Sequence, residues 1–151
     1  MRIYLPATLD EIAPGTTGLE ARRAHAVTGA LRAALPDEDD EGLEYAAQLA
    51  AADDSLERLR RSPSAPRLRV VVSVDVPEAV VVAVSDPQAS PSTVEMVSGV
   101  GLVDVVAVHV DEPETAADVA AALAGDPEAV ERVEEADLLW YDVTELGHIP
   151  R

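Results

Sequence analysis

The stretch Leu68-Arg69-Val70-Val71-Val72-Ser73-Val74-Asp75-Val76 decides the fold. Leu68, Val70, Val72, Val74 and Val76 alternate with Arg69, Val71, Ser73 and Asp75, the two-residue period of a strand buried on one face and more polar on the other. Working outward, the segment before it is a helix. Tyr45, Leu49, Ala52, Leu56 and Leu59 advance by four, three, four and three residues and line one helical face. The acidic run Asp37–Glu41 lies at its start and Arg58, Arg60 and Arg61 at its end, so both groups complement the helix dipole. Ser62-Pro63-Ser64-Ala65-Pro66 stops it.

Further upstream, Leu19–Leu35 reads as another helix, with Ala24, Val27, Leu31 and Ala34 at helical spacing, Pro36 as the stop and Gly29 as a weak point. Residues 2–6 read as a strand with Ile3 and Leu5 on one side and Arg2 and Tyr4 on the other. Downstream, Val80–Val84 and Thr93–Val97 flank a Ser/Pro-rich stretch; within 77–103 they form either a hairpin arm or a loop. Asp104–Val110 is a further strand. Thr115 with Asp118 opens a helix carrying Ala116, Val119, Ala120 and Leu123, Gly125-Asp126-Pro127 breaks it, and Leu138–Val143 closes the chain as a strand.

Without the arm the order is β-α-β-β-α-β, with the first helix split in two. That is the ferredoxin-like arrangement: an α+β antiparallel sheet with helices on one face, built as a single domain over 1–151. It places the first strand and the 104–110 strand at the centre, flanked by 138–143 and 68–76. One sheet face is then open.

Composition bounds the chemistry. The 151 residues include no Cys, Lys, Phe or Asn and three His, which removes thiol nucleophiles, thiolate metal sites, disulfides and Schiff-base lysines. The aromatic side chains are Tyr4, Tyr45, Trp140 and Tyr141. The net charge of −18 is concentrated late in the chain: the segment 111–145 holds twelve acids and one Arg. A field of that sign repels nucleic acid and anionic lipid and favours a basic partner. No apolar run approaches a membrane span and no signal segment is visible, so a cytoplasmic setting is expected. The Ala/Val/Asp/Glu richness with Arg as the basic residue suggests a high-GC bacterial genome.

Several stretches carry a family resemblance: Arg2-Ile3-Tyr4-Leu5-Pro6, Ala26-Val27-Thr28 with Ala30-Leu31-Arg32, Glu44-Tyr45-Ala46-Ala47, Val74-Asp75-Val76-Pro77, Ala107-Val108-His109-Val110-Asp111 and Leu138-Leu139-Trp140-Tyr141. Together they resemble an uncharacterised family of small actinobacterial proteins, known only as a domain of unknown function. The resemblance implies a bacterial cytoplasmic protein and carries over no catalytic residue.

The motifs themselves are modest. Asp37, Asp39, Glu41 and Gly42 match the start of a calcium loop, but Gln48 stands where a bidentate Glu is needed, so the run reads as a helix cap. Gly99-Val100-Gly101 lacks the third Gly of a dinucleotide fingerprint and reads as a turn. His109 and Asp111 share a strand face about 7 Å apart at Cα and suit a weak divalent-ion site, the basis of an alternative reading as an ion-dependent enzyme or small-ligand receptor. His25, beside Arg22 and Arg23, reads as solvated, and His148 as mobile. No serine-nucleophile signature is present, and no cofactor is implied. The main expectation is an interaction module. Its open sheet face carries Tyr4, Arg69, Asp75 and His109, joined by Trp140 or Tyr141 according to register, and docks a second copy or a basic protein.

Overall fold

The computed structural model describes residues 1–151. Its elements are β1 (Arg2–Ala7), β2 (Gly18–Leu19), β3 (Arg23–Ala26), α1 (Gly29–Ala34), α2 (Asp40–Arg60), β4 (Val70–Asp75), β5 (Val81–Ala83), β6 (Thr93–Met96), β7 (Val100–Gly101), β8 (Val105–Asp111), α3 (Ala116–Leu123), α4 (Pro127–Glu135) and β9 (Leu138–Tyr141). Seven strands form one sheet in the order β5-β6-β3-β1-β4-β8-β9, and β2 pairs with β7 in a small ribbon. Every neighbouring pair in the main sheet is antiparallel. The class is α+β, as the alternation in 68–76 and the helix before it require.

The ferredoxin-like topology does not hold. β1 pairs along its whole length with β4, from Arg2 opposite Asp75 to Ala7 opposite Val70. Its other edge is taken by β3, with Tyr4 opposite His25. A strand has two edges, so β8 cannot lie beside β1. It adds beyond β4, and β9 adds beyond β8. The cause is residues 19–35, which are not one helix. Ala24 and Ala26 alternate with Arg23 and His25 at strand period, and the helix begins only after Thr28, whose hydroxyl accepts from the Leu31 amide at 3.0 Å. The chain then passes over β1 from β3 to β4 through α1 and α2. Of the two readings of 77–103 the hairpin is the one found: β5 and β6 pair with Val81 opposite Met96, and β6 continues the main sheet on β3.

The long helix lies on the opposite face from the one expected. Ile3, Leu5, Val72, Val74 and Val108 belong to the largest buried cluster, which is roofed by Leu9, Ile12, Leu19, Val100, Leu146 and Ile149 from short turns, the ribbon and the C-terminal segment. Helix α2 instead packs on Tyr4 and Val71 through Leu43, Ala47, Ala51 and Ala52. Small alanines let the helix axis sit close to the sheet, whereas the broad Val/Ile face accepts larger, irregular anchors. Both faces of the central strands are therefore covered.

Two polar contacts lock the arrangement. The Ser55 hydroxyl on α2 donates to the Ala7 carbonyl at 2.7 Å and accepts from the Val70 amide at 2.9 Å, pinning the helix across the β1–β4 seam. Asp39 caps α2 by accepting from the Gly42 amide at 2.9 Å, and Asp40 and Glu41 fill its first turn, so the acidic run acts as a cap. At the far end of α2, Leu59 packs with Val119 and Ala122 of α3 and Ala129 and Val133 of α4.

Candidate functional site

Antiparallel register fixes which side chains share the helix-packed face. Tyr4, Ser73 and Ala107 form one cross-strand row; Val71, His109 and Trp140 form the next. Asp75 lies at one end of the same face, opposite Arg2, and Arg69 at the other. The five residues expected on one face thus do share it, but that face is the helix-packed one, and their roles divide.

Tyr4 lies buried beneath α2. Burial, then the nearby Glu44 carboxylate, pushes its phenol up to about 12. Arg69 is buried in a bidentate pair with Asp111, Nε to Oδ2 at 3.0 Å and Nη2 to Oδ1 at 2.7 Å, while its own amide donates to Oδ2 at 2.8 Å. Neither residue is free to meet a partner. Nor can Asp111 serve a metal: both its oxygens are taken, and no group of three or more His, Asp or Glu side chains assembles anywhere in the chain. The pairing of His109 with Asp111 as ion ligands fails because Arg69, forty-two residues upstream, reaches the carboxylate instead.

The remaining three reach the surface to different degrees. Asp75 is held by Arg2 through two bonds of 3.0 Å, and those hydrogen bonds keep its carboxyl below the usual range. His109 is half-buried with Nε2 2.9 Å from the Ser73 hydroxyl, and burial pushes its pKa down, so the ring is neutral near pH 7. Trp140 is 60% exposed beside it.

Two residues of the helical stripe read from the sequence join this surface. Tyr45 and Leu49 are 52% and 42% exposed, because the buried line of α2 runs through Leu43, Ala47, Ala51, Ser55 and Leu59 rather than through the larger side chains. They wall a cleft of about 160 Å³ against Leu138, with Arg69 and Ala52 at its base. Leu138 is two residues from Trp140 on the same face of β9. The result is an apolar and aromatic strip between α2 and the outermost strand, bordered by Asp137.

Two other places bring polar side chains or open space together. His25 is buried rather than solvated. Its Nδ1 is 2.8 Å from the Ser92 hydroxyl and its Nε2 2.8 Å from Asp54 Oδ2. This Ser-His-Asp chain lacks access, since Ser92 is 1% exposed, and it ties the β5–β6 hairpin to β3 and α2. The strand alternation around His25 was the available signal. The largest cavity, about 660 Å³ between the start of α1, β5 and the 86–91 loop, is mainly apolar, and its one carboxylate, Asp86, is paired with Arg23. It brings no set of reactive groups together.

Fold and surface together define a small α+β protein: a seven-stranded antiparallel sheet, roofed on both sides, with an exposed aromatic strip at one edge. The chain belongs to the family of unknown function DUF6912, whose family model matches residues 1–149. No curated protein and no solved structure matches it. No helix is long and apolar enough to cross a membrane.

Proposed function

We propose that this protein is a non-catalytic interaction module that docks a basic partner protein on the strip formed by Tyr45, Leu49, Leu138 and Trp140. The observation that carries the reading is Trp140. The chain has four aromatic side chains, and its single Trp is 60% exposed at the sheet edge instead of completing the core. Exposed Trp and Tyr within an apolar patch are the side chains that most often anchor protein interfaces. His109 supplies a neutral polar group beside the anchor, whereas Asp75 is spent on Arg2 at the far end of the face.

Charge selects the occupant. Acids dominate 111–145, and of these Asp111 and Asp118 are held in ion pairs. A second copy would bring another −18 to the same surface, so a basic partner fits better than a homodimer. The Cys-free, Arg-using composition supports a bacterial cytoplasmic setting.

The test compares the parent protein with Trp140→Glu and Tyr45→Glu, both at exposed positions that leave the fold intact. Affinity capture should retain a basic protein on the parent and lose it on both variants, with retention falling as salt rises. Solution mass by light scattering should be that of a monomer. A salt-resistant dimer abolished by Trp140→Glu would reassign the strip to self-association.

A further inference from the structure

β9 is the outermost strand of the sheet, and β8 is its sole strand partner. Beyond that ladder, no turn, loop or cap bonds to the backbone of Leu138–Tyr141. Edge strands of natural proteins are usually blunted by Pro, by charge within the strand, by a bulge or by a covering element. Leu138-Leu139-Trp140-Tyr141 contains neither Pro nor charge. Leu139 is exposed on one face and Trp140 on the other, so an added strand would meet an apolar side chain on each side. The opposite edge, β5, has three residues and runs into the 84–91 loop.

The ends of β9 are acidic. Glu134, Glu135 and Asp137 precede it, and Asp142 and Glu145 follow. Asp142 accepts from the Thr144 amide and hydroxyl, and these bonds hold its carboxyl down, so it keeps its charge. An open ladder with carboxylates at both ends complements an extended chain with cationic side chains.

We infer that the partner is an extended segment rich in Lys or Arg that adds to β9 as an eighth strand, with an apolar side chain against Trp140. This rests on the docking role of the Trp140 strip and names the form its ligand takes. Main-chain bonds to the free edge provide affinity, and exposed Trp140 with the flanking carboxylates provides selectivity.

The probe is a short acetylated, amidated peptide of alternating Lys and Val, titrated into the ¹⁵N-labelled full chain. A second peptide of the same sequence is N-methylated at every other residue along one edge, keeping charge and side chains but removing strand pairing. The first peptide should shift the amides of β9, protect them from exchange and change Trp140 fluorescence. The methylated peptide should bind at least about tenfold more weakly, the scale of one or two lost hydrogen bonds, and Trp140→Glu should weaken the first peptide as well. Equal binding of the two peptides, with shifts at Tyr45 and Leu49 but none in β9, overturns strand addition and leaves the docking strip standing. No binding at millimolar peptide overturns the basic-strand inference. Unchanged capture of the native partner by Trp140→Glu overturns the docking role itself.

Discussion

Arg69 and Asp111 show how one pair can withdraw residues from function. Both were readable as polar members of a sheet face, yet they close on each other at the point where β4 begins, β8 ends and the link to β9 passes: Arg69 Nη2 also donates to the Ala136 carbonyl at 3.2 Å. Breaking a buried pair leaves an uncompensated charge, so Asp111→Asn should lose about 3–5 kcal/mol in urea unfolding. The double variant Arg69→Met/Asp111→Leu should lose less than the sum of the two singles. Ser55→Ala removes the partner of two buried backbone groups, Ala7 C=O and Val70 N–H, and should cost about 1–3 kcal/mol in the same assay. His109 gives a pH signature. Its folded pKa lies below the unfolded value near 6.5, so the unfolded chain binds a proton more readily. The contribution is present above about pH 6.5 and is lost as pH falls from there toward the folded pKa. The ring resonance should titrate below 6.5, and His109→Gln should flatten the pH dependence of stability in that window. None of these contacts is local in sequence, which is why composition and spacing do not reveal them.

At the scale of elements, α2 separates what periodicity can show from what it cannot. Its existence, its cap at Asp39 and its basic end follow from the order of side chains along the chain. Its orientation does not. Of the stripe Tyr45, Leu49, Ala52, Leu56 and Leu59, Ala52 and Leu59 are buried, but Tyr45 and Leu49 lie in solvent and the rest of the buried line runs through Leu43, Ala47, Ala51 and Ser55. The sheet selects the alanine line because close approach buries more backbone and more of the neighbouring valines. Leu43→Ala should therefore cost about 2–4 kcal/mol in chemical unfolding, the range of a core truncation, while Leu49→Ala should change stability by about 0.5 kcal/mol or less. Residues 19–35 carry a similar ambiguity. Ala24, Val27, Leu31 and Ala34 satisfy a helical repeat, while Ala24 and Ala26 satisfy a strand repeat; a free edge on β1 settles the matter in favour of the strand.

For the whole molecule, the strand of 68–76, the long helix before it, the strands near 105–111 and 138–141 and the α+β class all follow from side-chain period and turn residues, because these are properties of neighbours along the chain; the choice between hairpin and loop for 77–103 does not, and pairing of β6 with β3 decides it. So do the excess of acid and the absence of thiol chemistry. Which strands lie side by side, which face the helices cover and which aromatics remain in solvent are decided only when distant segments compete for the same edges and surfaces. The roof over Ile3, Leu5 and Val72 is assembled from single anchors such as Leu9, Leu19, Leu146 and Ile149, which have no period of their own. For the same reason Trp140 was legible as a contact candidate, but Tyr45 and Leu49 were not. Their exposure depends on the packing distance between α2 and the sheet, a tertiary quantity that no local pattern encodes.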